Sequence, residues 1–541
     1  MKLITCVPTL INLIDVSKFF LLVAGSILCL CFFSCKKNSL KDHKELSPGE
    51  KEHQEILDSI FLYAGQIYLW NDKLPSEKTF NARKYGMGGI DIYRKEIADI
   101  TQFALNPETG RSFEYNLLNS SSAKFSTIIK KNGSESGKIS IQINLSDIGY
   151  DYGITFLAVN QDEIYIEYII PNSPAGVAGL KRGMKLEKLN GRRAETSSSF
   201  YDDMQKAFKN AALEVSLSSP GVADHPQNYA LRKTVYQAEP LSKAVVLKVK
   251  KHKIGYISYL KFTSPRGLNQ SLDQAFRDFN DEGVEELIVD LRYNGGGDIS
   301  SCEHFANLVV PFAADGKVMR KEKYNALMQD GKASILSGQL LLNDDGSPAF
   351  YINGRPATLA DGDYSIEGNT ELFQKTAGLQ QLQRIYFIVS NQTASASELL
   401  INCLRPYMNV KLVGVRTNEN VAEPVKTFGK PIGFFSIRLK SYLLYLSLFQ
   451  NLNALGQGDY FNGIPVDMTV IDDVSLDFGD IKDPGIQTAL IDMGYLSVGN
   501  SQRLSTVPAN AKRTNHSFLR REINPLTGPH ELIKSRIKMK R

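Results

Sequence analysis

The sequence predicts a multidomain α/β protein, and three observations carry that prediction. At 541 residues the chain is too long for one hydrophobic core. Its apolar periodicity changes twice: helical spacing near the N-terminus gives way to short β-runs, and these to strands alternating with helices. Such alternation implies a mostly parallel, layered sheet. The composition, 43% hydrophobic and 22% charged, is that of a globular protein.

The first element is the leader. Lys18 precedes an apolar run over residues 19–33, which ends in Ser34-Cys35-Lys36-Lys37. The run suits the core of a signal peptide over residues 1–35 better than a full membrane span. Cys35 behind a small residue resembles a bacterial lipoprotein cleavage site, although Phe32 stands where leucine is usual. That resemblance implies a lipidated Cys35 and a protein anchored in the cell envelope, at the outer membrane facing the periplasm. The alternative is an uncleaved N-terminal anchor, and both readings export the protein.

Residues 36–130 read as a charged linker followed by a small helical domain. Ile56, Ile60, Leu62, Ile67 and Leu69 mark one amphipathic stretch, and Ile90, Ile92, Ile97 and Ile100 another. A Gly/Ser break at 132–137 then introduces β-runs at 139–145, 153–159 and 164–170. A glycine-rich stretch over 172–186 and a helical pattern at 200–208 follow. Over residues 138–220 this order resembles a PDZ domain, which implies a peptide-binding loop at Tyr152-Gly153-Ile154. Backbone amides there would hold a terminal carboxylate, and the strand edge would add the peptide as a further strand. Met184 stands where the family usually has aspartate, a change expected to affect a turn. The alternative is a β-domain that only packs on its neighbour.

Strand patterns at 254–260, 286–291, 384–389 and 411–415, with helical patterns at 268–280, 303–310 and 396–404, define the α/β domain over residues 244–498. Residues 313–383 read as a long insertion rich in turn signals. The tail, 499–541, is basic, polar and predicted to be poorly ordered. The net charge of +5 is small, and no zinc-finger, RNA-binding or helix-turn-helix pattern argues for nucleic acid. Only Cys302 and Cys403 lie outside the leader, which excludes a disulfide framework and a cysteine metal site. Both are expected to be small buried hydrophobes.

The chemistry concentrates in two stretches, residues 289–297 (VDLRYNGGG) and 393–398 (TASASE). The first is a buried strand entering a glycine turn, and the second places a small serine, expected to be exposed, at a helix start. A serine hydroxyl needs a base to become nucleophilic. Ser395 would have the free amide of Ala396 beside it to donate to an oxyanion. Gly296 and Gly297, lacking Cβ, would let further amides approach.

Taken together, the paired motifs, the PDZ-like segment and the helical segment before it resemble the C-terminal processing (tail-specific) peptidases, the S41 serine proteases, over about residues 55–495. The resemblance implies a layered, ClpP/crotonase-like catalytic core and a serine-lysine dyad with Ser395 as nucleophile. It assigns oxyanion donors to Ala396, Gly296 and Gly297. The family's Thr-(Phe/Tyr)-Gly-Lys motif matches Thr427-Phe428-Gly429-Lys430, which makes Lys430 the general base, at a longer interval from Ser395 than is common. At the common interval Asn420 stands in the lysine place and the site would be dead. Burial beside apolar neighbours such as Phe428 would favour the neutral amine that a base requires.

Phe434 stands where many relatives carry a glutamine that orients the lysine. Glu398 and Ser397 are expected to cap and support the helix. His304 offers a Ser-His alternative that lacks an orienting acid in the sequence. Residues 456–467 resemble the loop and closing strand of the catalytic domain. The implied function is a serine endopeptidase, a hydrolase of the envelope that needs no metal or cofactor and acts on proteins with unstructured C-termini. The alternatives are an inactive relative that binds peptides or envelope partners, and a binding domain for a hydrophobic small molecule walled by the 313–383 insertion.

Overall fold

The computed structural model describes residues 46–117, 119–131, 148–160, 163–219, 225–263, 270–343, 346–380, 382, 384–416, 424–497 and 537–539. The chain divides into two compact units between His53 and Gln54, and the second, Gln54–Arg541, carries all the features below. The leader with Cys35, the run at 139–145, Asn420 and nearly all of the tail lie outside the described residues. Among the described residues no helix is long and apolar enough to cross a membrane.

A six-stranded sheet organises the molecule. Its order is Leu241–Val249, His252–Tyr259, Glu286–Asp290, Arg384–Val389, Asn409–Arg416 and Met468–Ile471. The first pair is antiparallel and every later pair is parallel. Central strands of a parallel sheet are covered on both faces, which is why Leu287, Ile288 and Val289 are all fully buried. Leu287 and Val289 join a core shared with the helices Gln270–Glu282, Ile299–Val309 and Ala396–Leu404, whereas Ile288 joins a second core with the helix Pro484–Asp492. These two cores are the layers expected of the α/β pattern. Cys302 and Cys403 are buried and reduced, as expected.

The 313–383 segment departs from its turn-rich reading. Its strand Val318–Tyr324 pairs with Phe449–Leu452 and Thr370–Leu372 in a four-stranded sheet that ends at Ile432–Gly433, two residues after Lys430. The strand is charged yet half-buried, because Arg320 is satisfied by Glu303 at 2.6 Å and Glu322 at 2.8 Å. The N-terminal segment is joined to the core in a similar way. Thr127–Lys130 pairs with Tyr442–Tyr445, and the buried Glu114 carboxylate accepts from Ser126 N at 2.7 Å and from Ser447 Oγ at 2.8 Å.

The 154–232 segment is an antiparallel sheet ordered Ile154–Asn160, Glu163–Ile169, Lys185–Leu189, Ala212–Ser218 and Gln227–Arg232, with its own hydrophobic core. The helix Ser198–Lys209 starts at Ser197, whose hydroxyl accepts from Phe200 N. Met184 packs in that core, so its effect reaches beyond a turn. Ile154–Asn160 lies at the end of the sheet order.

Candidate active site

The strand Arg384–Val389 and the strand Glu286–Asp290 are parallel neighbours, so the loops leaving their carboxyl ends meet. Open α/β sheets bind ligands at such ends. Short polar side chains lock the two loops together. Thr393 Oγ1 donates to Leu291 O at 2.8 Å, Ser397 Oγ donates to Asn294 O at 3.0 Å, and Ala394 N donates to the same carbonyl at 3.2 Å.

Ser395 emerges from this lock with φ 63° and ψ −115°, a backbone that non-glycine residues rarely adopt. Such a conformation costs about 1–3 kcal/mol and persists only where its surroundings impose it. Here the imposing contact is the glycine turn. A Cβ on Gly296 would lie 2.6 Å from Ser395 Cβ, and a Cβ on Gly297 would lie 1.8 Å from Phe262 O. With φ of 110° and 138°, both positions also require glycine.

The three expected oxyanion donors separate on inspection. The Gly296 amide is engaged with Asn294 Oδ1 at 2.8 Å, so Gly296 serves the site by its missing side chain and not as a donor. The Gly297 and Ala396 amides have no acceptor among the described residues. Ala396 N also lies only 2.9 Å from where a Gly296 Cβ would stand. Ser395 itself is fully buried, contrary to its expected exposure, because Gly296 and its own helix close over it.

Glu398 joins the serine to the lysine turn. Its Oε2 accepts from Ser395 N at 2.9 Å and from Lys430 N at 2.8 Å, which brings the two backbones within two hydrogen-bond lengths of each other. Its Oε1 accepts from Gly429 N at 2.7 Å and from the Thr427 hydroxyl. Burial pushes the Glu398 carboxyl up in pKa, and these four donors pull it back toward the ionised form. The role is therefore wider than the expected helix cap.

Lys430 is 4% exposed. Its amine lies 5.1 Å from the centre of the Phe434 ring. The apolar neighbour facing it is thus Phe434; the Phe428 ring faces Lys124 instead, at 4.7 Å.

Two further supports were not legible in the sequence. Lys124 donates to Phe428 O, Gly429 O and Phe461 O at 2.9, 3.0 and 2.8 Å, which fastens the lysine turn from the N-terminal segment. Burial, with the charges of Lys426 and Lys430, lowers the Lys124 ammonium to about 8. The 456–467 loop also braces the turn, since Ile464 N donates to Thr427 Oγ1 at 2.7 Å.

His304 does have an acid partner, contrary to the sequence reading: Nε2 lies 2.6 Å from Asp273 Oδ1. The pair is about one-third exposed and bridges two helices, so it engages the ring away from the serine. In the loop expected to bind peptide, Tyr152 and Ile154 are buried. Gly153 has φ 65°, and its amide donates to Asp151 Oδ1 at 2.7 Å, so in this conformation it is already satisfied. Among the described residues no group of acidic, histidine or cysteine side chains could hold a metal ion.

The layered parallel sheet thus brings a buried serine, a glycine turn and a lysine turn together at its strand ends. The sequence profile of peptidase family S41 matches residues 253–427, and the chain contains a peptidase family S41 domain. The match stops three residues short of Lys430. Among curated proteins, the chain is 22% identical over 280 residues to a chloroplastic C-terminal processing peptidase of Tetradesmus obliquus, covering 50% of each chain. It is 21% identical over 266 residues to the carboxy-terminal processing protease CtpB of Bacillus subtilis (strain 168), covering 48% of this chain and 53% of that one. The chain therefore spans about half the length of the curated relatives it matches. A crystal structure described as an S41 protease from Bacteroides fragilis NCTC 9343 superposes with a TM-score of 0.51 at 21% identity, over 81% of this chain and 98% of that one, so the fold is shared.

Proposed function

We propose that this protein is a serine-type endopeptidase of the cell envelope that cleaves unstructured protein tails with Ser395 as nucleophile and Lys430 as general base. The observation that carries the reading is Glu398, which binds the backbone of both residues across the 35-residue interval between them. A long loop between nucleophile and base is compatible with catalysis as long as their anchors meet. In the reaction, Lys430 takes the Ser395 proton as Oγ attacks the scissile carbonyl, and the amides of Gly297 and Ala396 stabilise the oxyanion. The PDZ-like segment would present the tail along the edge of Ile154–Asn160, and lipidation of Cys35 would hold the protein at the membrane.

Ser395 is fully buried, so this reading requires the packing around it to open before a substrate carbonyl can reach the hydroxyl. Cleavage of an unfolded tail peptide by wild type, Ser395→Ala and Lys430→Ala tests the proposal. Loss in both variants is expected. Equal cleavage by all three would refute it, and an inactive wild type that still binds the peptide would favour the peptide-binding alternative.

A further inference from the structure

Residues 537–539, the described part of the basic tail, lie along the 359–371 segment as an added strand. Met539 pairs with Gly362 in the antiparallel sense, and Asp363 N donates to Lys538 O at 2.7 Å. Backbone pairing of this kind holds a chain in extended form, and side chains at alternate positions supply the selectivity. Ile537 and Met539 are half-buried and Lys538 is exposed, the two-residue period of a strand with one covered face. Ile537 packs against the main hydrophobic core, and a Cβ on Gly362 would lie 2.7 Å from its Cγ2, so the missing side chain leaves the place that Ile537 fills. On the other face Lys538 Nζ lies 2.6 Å from Glu371 Oε1.

The receiving turn is braced by bonds that do not involve the tail. Asp363 Oδ1 accepts from Ser365 N at 2.9 Å and from Ser365 Oγ at 2.7 Å. Asn369 Nδ2 donates to the carbonyls of Asp363 and Ser365, both at 2.8 Å. Tyr364 is buried, and its hydroxyl donates to Leu359 O at 2.6 Å. The Asp363 amide is therefore held in place for an incoming strand. Glu371 stands on Thr370–Leu372, at the opposite end of the four-stranded sheet from Ile432–Gly433, so this surface is separate from the lysine turn.

We infer that the 359–371 surface is a docking site for an extended apolar–lysine–apolar segment, and that the chain's own residues 537–539 fill it in cis. A polypeptide of the same pattern must displace them to bind. The inference does not depend on the chemistry of Ser395.

A fluorescent peptide of residues 534–541 is titrated by anisotropy into the full chain carrying Ser395→Ala, with and without Ile537→Asp. Ile537→Asp removes the apolar anchor of the tail and leaves the receiving turn unaltered. The peptide is expected to bind the emptied site about ten-fold more tightly than the occupied one, because the tethered tail no longer competes. Adding Glu371→Lys is expected to weaken that binding by about five-fold, and a peptide carrying Lys538→Glu to regain it. A merely damaged fold would not give the regain. Equal binding with and without Ile537→Asp, or a Glu371→Lys loss that the reversed peptide does not regain, would overturn the inference. An affinity of the occupied protein that climbs to the Ile537→Asp level on dilution would show that a second copy supplies the strand, and would overturn the assignment in cis.

Discussion

A single buried carboxylate, Glu398, ties the start of the Ser395 helix to the lysine turn. Each of its oxygens accepts two hydrogen bonds, one from the serine side or the Thr427 hydroxyl and one from the lysine turn. Replacing it by glutamine would turn one acceptor into an amide N–H₂ that faces donors already in place. A buried donor left unpaired costs about 1–3 kcal/mol. Glu398→Gln is therefore expected to lower kcat by roughly ten- to a hundred-fold through misplaced Ser395 and Lys430, with KM little changed. Steady-state kinetics beside a thermal melt checks this, and a variant with normal kcat would remove Glu398 from the positioning role. The residue was visible in the sequence only as a helix cap three positions after Ser395. Its contacts with Gly429 and Lys430 span more than thirty residues, which no local pattern reveals.

At the scale of elements, the lysine turn is held by close packing of backbone on backbone. Gly429 has φ 85°, and a Cβ there would lie 2.4 Å from Gly463 N. Gly429→Ala is expected to destabilise the protein by about 3 kcal/mol through the left-handed strain and this contact. It should also abolish peptide cleavage, because Lys430 follows directly. A denaturant titration with activity measured in parallel decides this, and an alanine variant of wild-type stability would show that the turn can relax.

Elements were legible where periodicity and burial agree. The strand Arg384–Val389 and the helix Ala396–Leu404 stand where the patterns at 384–389 and 396–404 predicted them. The strand Val318–Tyr324 was not legible, because Arg320, Lys321, Glu322 and Lys323 read as solvated loop. Its burial depends on ion pairs supplied by Glu303 and by Glu322 itself. Lys124 was hidden for a related reason: its three acceptors lie more than 300 residues away.

At the scale of the whole molecule, a buried ionic network joins the 154–232 segment to the six-stranded sheet and the loops around it. Arg182 donates to Asp472 Oδ1 and to Tyr293 Oη, both at 2.8 Å, and to Glu167 O at 2.7 Å. Arg292 binds Asp472 at 2.7 Å and Asp483 at 3.0 Å, and these arginines and aspartates are almost wholly buried. Removing one partner of such a network leaves an uncompensated buried charge. Arg182→Ala is therefore expected to cost about 3–5 kcal/mol.

Burial alone would raise the Asp472 pKa, but Arg182 and Arg292 outweigh it and hold the group at about 2. A folded pKa below the unfolded one means that the unfolded chain binds the proton more readily in acid. The stabilisation is thus complete above about pH 4 and is lost as pH falls through about 2. Urea midpoints compared between pH 7 and pH 2.5 should show a smaller acid loss in Arg182→Ala than in wild type. Equal acid sensitivity in the two proteins would place the titrating groups elsewhere.

The central claim is that Ser395 is a nucleophile activated by Lys430, and covalent labelling by a serine-directed fluorophosphonate tests it most directly. Attack of the Ser395 oxygen on phosphorus releases fluoride and leaves a stable adduct that mass spectrometry can locate. The account predicts one adduct per chain, on Ser395, absent in Ser395→Ala and formed about a hundred-fold more slowly in Lys430→Ala. Absence of any adduct on the wild-type protein, or labelling of Lys430→Ala at the wild-type rate, would contradict it.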